Sequence, residues 1–277
     1  MPLAKTTDST RRFPGRVLSP PPAASLPARD RLLVVACIAL VTILAWAYLV
    51  HLDRQMAAGR EHEKMMAAMG MTMNMPWTAP DLFFTFAMWA VMMVGMMAPS
   101  ASPMLLLFAA ARAGRGGKGM SLGTLAFGMG YIAVWFGFSA GAALLQSGLR
   151  QAAMLSPAMV SSSGRLSGVI LIAAGAYQLT AWKARCLTQC RSPLGFLLTN
   201  WREGTYGAFR MGFRHGGYCL GCCWALMCVL FVVGVMNLLW IAVLAGFVLI
   251  EKIGPAGAIV ARVAGVAMLI LGIVAMA

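Results

Sequence analysis

The chain has 277 residues, of which 60% are hydrophobic and 11% charged, with a formal net charge of +14. A soluble domain carries roughly 25% charged residues to face water, so this composition excludes a soluble globule and makes lipid the solvent for much of the chain. The positive charge does not indicate nucleic acid either, because the basic residues stand between apolar runs, the distribution that sets membrane orientation.

Residues 1–30 hold Arg11, Arg12, Arg16, Arg29 and the run Pro20-Pro21-Pro22, with little to build a core, and read as a disordered basic cytoplasmic tail. The first apolar run, Leu32 to Val50, is long enough to cross a hydrocarbon layer about 30 Å thick. No small-x-small cleavage site precedes a mature domain, so it reads as an uncleaved helix rather than a signal peptide. A polar segment from His51 to Pro80 follows and reads as an outer loop. The second run, Leu82 to Ala111, exceeds one span and contains Pro99 and Pro103. It is expected to cross to about Pro99 and then kink or re-enter, since proline removes a backbone bond. Asp81 reads as the cap of this helix.

The third span runs from Leu122 to Leu145 and the fourth from about Leu166 to Trp182. A polar connection then carries Lys183, Arg185, Arg191, Arg202, Arg210 and Arg214 against Glu203 alone. Tyr218 to Ile250 reads as two short helices meeting near Gly234 to Asn237, and Ala256 to Met276 as the final span. The expected fold is all-α, a polytopic transmembrane helical bundle of about seven membrane helices, with six as the alternative. Residues 31–80 form the first membrane helix and a Met-rich outer loop, and residues 81–277 a metal-binding helix bundle. The basic tail and the loops at 112–118 and 183–216 fall on one side if every run crosses once. That side is cytoplasmic, which gives a multi-pass protein of a bacterial inner membrane with His51 to Pro80 outside.

Sulfur sets this chain apart from a generic membrane protein: it has 23 Met and 7 Cys, and both cluster. Met65, Met66, Met69, Met71, Met73 and Met75 crowd the outer segment, where a water-facing loop has no packing reason to alternate methionine. His51 and His62 could add nitrogen ligands there. In the second span, Met88, Met92 and Met96 recur every four residues on one helical face, beside Met93 and Met97. Thioether sulfur is a soft, neutral ligand that selects Cu(I), although a methionine stripe also fills helix cores. Cys186 and Cys190 are four apart. Cys219, Cys222 and Cys223 share one helical surface at the opening of the fifth span, with Met227 and Cys228 a turn further on. Thiolates at such spacing hold Cu(I), zinc or an iron–sulfur cluster, or act as a redox pair. Arg185, Arg191 and Arg214 are expected to favour the thiolate form. All seven Cys, Cys37 included, fall on the cytoplasmic half, which argues against a disulfide framework.

Glu251-Lys252 ends a helix. Arg262 is shallow enough in the last span to snorkel, although an intramembrane charge can also mark a transport path. The sequence has no phosphate-binding glycine loop, no Ser-His-Asp arrangement and no convincing carboxylate pair. Its three His are too few for a multi-His active site.

Three ordered blocks carry a resemblance. They are Met88-Trp89 through Met92-Met93 and Met96-Met97-Ala98-Pro99-Ser100 to Pro103; Tyr177-Gln178, Lys183, Cys186-Leu187, Cys190-Arg191 and Pro193; and Gly216, Cys219, Gly221-Cys222-Cys223-Trp224 and Leu226-Met227, with Glu251-Lys252 downstream. Over about residues 80 to 255 the chain resembles a bacterial family of predicted metal-binding integral membrane proteins, otherwise a domain of unknown function. It is similar to proteins proposed as membrane copper chaperones that supply a copper oxidase such as a tyrosinase. The resemblance implies a Cu(I)-handling metallochaperone with a copper-dependent enzyme as partner. Zinc or another soft metal is the alternative cargo. A membrane thiol redox protein using Cys219 and Cys222 and a non-catalytic structural subunit remain open beside it.

Overall fold

The computed structural model describes residues 26–69, 78–115, 121–152 and 163–277. The expected tail up to residue 25 and Met71, Met73 and Met75 lie outside them. The described residues are helical throughout, in the order α1 (Ala28–Ala68), α2 (Ala79–Ala113), α3 (Leu122–Gln151), α4 (Gly164–Gln178), α5 (Ala181–Arg191), α6 (Pro193–Asn200), α7 (Gly204–Cys228), the single turn α8 (Leu230–Val233), α9 (Leu238–Ile253) and α10 (Gly257–Met276).

Among the described residues five helices are long and apolar enough to cross a membrane: α1 to Ala57, α2, α3, α7 with α8, and α10. Their outward side chains, such as Leu40, Ile43, Phe83, Phe84, Leu144 and Ile270, are exposed. Such a belt would be an aggregation hazard in water and is ordinary in lipid. The chain is a membrane protein. Helices α4 and α9 have 15 and 16 residues, about 23 Å each, short of a full crossing by length alone.

Two expected loops are helical. Residues 51 to 68, expected as an outer loop, continue α1 without interruption, because that stretch is rich in Ala, Met, Glu and Arg, which favour helix. The polar connection after residue 183 is α5, α6 and the start of α7, separated by Ser192 and by Trp201 to Glu203, with Gly204 opening α7 at φ +79. The break expected near Gly234 to Asn237 is present. Gly234 takes φ +100, which suits a residue without a Cβ, and the Asn237 side chain accepts from the Trp240 N–H to cap α9.

Helix α2 is continuous through both prolines, with no re-entrant turn. Pro103 leaves the Pro99 carbonyl without its usual amide donor, and the Ser102 hydroxyl donates to that oxygen at 2.8 Å. The cap of this helix is Thr78 rather than Asp81. Asp81 sits three residues on, and its carboxylate accepts from the Thr78 N–H at 2.9 Å and the Thr78 hydroxyl at 2.6 Å, the return half of a capping box.

Helices α2, α3 and α7 pack together with α5 and α9 around one core, α1 lies on α2, and α4 pairs with α10. Glycines set the closest approaches. A Cβ on Gly212 of α7 would stand 1.9 Å from the Phe127 carbonyl oxygen of α3, and one on Gly130 of α3 would stand 2.1 Å from that of Phe209. Gly175 and Gly265 perform the same service between α4 and α10, as small residues do in membrane helix pairs. Gly212→Ala is therefore expected to force α3 and α7 apart, at a cost of about 1–3 kcal/mol. A lowered thermal midpoint in detergent would show it, and an unchanged midpoint would refute the contact.

Candidate metal centre

The core gathers the sulfur that the sequence scatters. On α2, Met88, Met92, Met93, Met96 and Met97 are all buried, as are Cys219, Cys222, Cys223 and Met227 on α7. These nine side chains belong to one hydrophobic cluster, and Cys186 and Cys190 of α5 pack against it. The expected methionine face and the expected cysteine face thus meet in one interior. Cys37 is exposed on α1, and Cys228 is half-buried.

Geometry within the cluster differs from a three-thiolate site on α7 alone. The Cys222 and Cys223 thiols donate to the Cys219 carbonyl at 3.0 and 2.9 Å, because helical side chains lean toward the preceding turn. The sulfur–sulfur approach joins two helices instead: Cys222 Sγ lies 3.9 Å from Cys190 Sγ. Two thiolates on one tetrahedral metal, each about 2.3 Å from it, stand about 3.8 Å apart, so this pair could hold an ion with little movement. Among the described residues no group of three or more His, Cys, Asp and Glu side chains is arranged to hold a metal ion. Any site here is a sulfur pair supplemented by thioethers. Such a donor set suits soft monovalent copper and does not complete the four-ligand shell of structural zinc.

The charge at the site comes from a residue that the spacing argument passed over. Lys252, at the end of α9, is buried, with Nζ 2.8 Å from Cys219 Sγ, 3.3 Å from Ser100 Oγ and 3.8 Å from Met97 Sδ. The hydroxyl of buried Tyr131 from α3 lies 3.0 Å from the same Cys219 sulfur. The three arginines expected to activate the thiols do something else. Arg185 and Arg214 are exposed, Arg214 lies over the Tyr218 ring, and Arg191 donates to the Glu251 carbonyl at 2.7 Å. Guanidinium groups on the outer faces of α5 and α7 stay hydrated, whereas α9 delivers its lysine from the far side of the core.

A second buried charge system stands one residue away. Lys183 of α5 and Glu251 of α9, each 1% exposed, form an ion pair at 2.5 Å, and Lys183 also donates to Gln178. One turn before Cys219, the His215 ring is buried against Tyr131 and Phe196, with Nδ1 lacking a hydrogen-bond partner. The signal for Lys183, Glu251 and Lys252 was present in the sequence as ionisable residues bordering apolar runs, which are functional until shown otherwise.

No curated protein and no solved structure matches the chain. A family model described as PpoB2 copper chaperone matches residues 86–275, the segment that holds the sulfur core, Lys252 and the buried ion pair. With that match covering more than half of its length, the chain belongs to the PpoB2 copper chaperone family.

Proposed function

We propose that this protein holds Cu(I) in its helix core and passes it to a copper-dependent enzyme. The observation that carries the reading is the joining of the α2 methionine face to the α5 and α7 cysteines, with Cys190 and Cys222 3.9 Å apart. Cu(I) sits between the Cys190 and Cys222 thiolates. Cys219 and Cys223 are within the same cluster as exchange ligands, and Cys186 packs against it from α5. Met88, Met92, Met93, Met96, Met97 and Met227 supply neutral thioethers around it. Thioethers need no deprotonation and bind without added charge, so an ion can step among them and return to thiolate. Tight and exchangeable donors side by side suit transfer better than storage.

The same reading sets the topology. Counted with the five long helices, the shorter α4 and α9, each extended by the residues beside it, bring the crossings to seven. The excess of Lys and Arg in the tail and in the segments at 112–118 and 183–216 puts the N-terminus in the cytoplasm of a bacterial inner membrane. The thiols then face the reducing compartment, which keeps them available to metal.

The test is anaerobic Cu(I) titration of the detergent-purified protein against a chromogenic chelator. Wild type is expected to compete for the ion, and Cys219/Cys222/Cys223→Ser and Cys190→Ser to lose tight binding. A wild type that competes for neither Cu(I) nor zinc ends the chaperone reading. The 3.9 Å pair would then be probed by thiol trapping as a redox couple.

A further inference from the structure

We infer that the protein has a loading port, an arginine-lined pocket that docks an anionic Cu(I)–thiolate complex and offers it to Cys186. The inference rests on the copper reading above and adds the form in which the cargo arrives. A cavity of 590 Å³ opens between α5, the end of α6 and the start of α7, lined by Arg202, Arg210, Arg214, Met211, Tyr218 and Cys186 among others. All three arginines are exposed. No carboxylate lines the cavity, and the nearest in sequence, Glu203, is engaged by Arg115 at 3.3 Å and by the Trp201 indole. Among the described residues none of the three guanidinium groups has a carboxylate partner. Three positive charges in a cleft focus the field on an anion.

The floor of the pocket leads to the metal site. Cys186 is half-buried, and its Sγ lies so close to α7 that a Cβ on Gly221 would stand 2.8 Å from it. Gly221 directly precedes Cys222, and Cys190 follows Cys186 by one turn on the same face of α5. A thiol reachable from the pocket therefore adjoins the buried sulfur pair.

The charge of the cargo explains the arginines. Cu(I) held by two thiolates carries one negative charge, and a thiol bearing carboxylates adds more, whereas the bare ion is a cation that arginine repels. Loading is ligand exchange without redox. Each bond from copper to a carrier sulfur breaks as a bond to a protein sulfur forms. The proton leaving each cysteine thiol goes to the departing carrier thiolate, so two carrier thiols are released for two cysteines bound. Copper stays Cu(I), and the bound complex keeps its single negative charge.

Stopped-flow loading from two donors tests the port. The Cu(I)–glutathione complex is anionic, and the Cu(I)–acetonitrile complex is cationic. For Arg210→Gln/Arg214→Gln, loading from the glutathione complex is expected to slow about tenfold, the lower end of electrostatic steering. Loading from the acetonitrile complex is expected to hold or quicken. Arg210→Lys/Arg214→Lys should restore most of the glutathione rate, which separates charge from folding. Equilibrium Cu(I) affinity, read with the chelator, is expected to stay unchanged in both. Equal slowing from both donors, or unchanged rates from both, overturns the port while the copper reading stands. Retention of phosphatidylglycerol by wild type but not by the glutamine variant, with loading unchanged, would reassign the pocket to a lipid headgroup. A wild type that loads from neither donor and fails the equilibrium titration removes the copper reading itself.

Discussion

Lys252→Met is expected to weaken Cu(I) binding by about 100-fold, or about 3 kcal/mol, the cost of stranding one charge of a buried pair. Two thiolates and one Cu(I) sum to −1, and the core around them is methionine and aromatic. In the proposed site Lys252, 7% exposed and 2.8 Å from Cys219 Sγ, would supply the compensating +1 and leave the loaded site neutral in a low-dielectric interior. Zinc on the same two thiolates would be neutral alone and +1 beside the lysine. The lysine therefore favours the monovalent ion, and its removal should hurt copper more than zinc. Competition titrations with both metals check this. Lys252→Arg, which keeps the charge, should retain more affinity than the methionine variant. Equal losses for copper and zinc in Lys252→Met would mean that the lysine only packs.

Glu251→Gln and Lys183→Met should each destabilise the fold by about 3–5 kcal/mol, because each leaves its partner buried without a counter-charge. The pair ties the end of α9 to α5, and Lys252 is the next residue on α9, so the loss should also loosen the lysine beside Cys219. The double variant Lys183→Met/Glu251→Gln removes both charges and should recover most of the stability, since an apolar replacement of a buried pair is often neutral. Thermal unfolding in detergent compares the three. Losses that simply add in the double variant would show that the two side chains are not coupled.

The helical class, four of the five long spans, the break at Gly234 and the sulfur-bearing faces were legible in the sequence because each leaves a local signature: a long apolar run, a glycine, a spacing of three or four. The remaining long span starts at Gly204, inside the stretch expected as a loop. The ligand geometry was not. Cys190 and Cys222 are 32 residues apart, and only the packing of α5 on α7 brings their sulfurs to 3.9 Å. Lys252 meets Cys219 across a separation of 33 residues and Met97 across 155, distances over which spacing carries no information. The charged segments at 51–68 and 183–216 were misread as loops for a related reason. Hydropathy reports what lipid accepts, whereas helix formation depends on propensity and capping, and there the two signals separate.

Helix α1 has one consequence for how the molecule meets its surroundings. It has 41 residues, so it is about 61 Å long, twice the hydrocarbon thickness of about 30 Å. Its far half carries Asp53, Arg54, Arg60, Glu61, Glu63 and Lys64, which hydrocarbon does not admit, so the excess must stand outside as a mast. Met56 still packs against the core, and the exposed Met65 and Met69 follow on the last turns, with Met69 about 20 Å beyond it. The sulfur that the mast carries at Met65 and Met69 is therefore set beyond the hydrocarbon, apart from the buried sulfur of Cys219, Cys222 and Cys223.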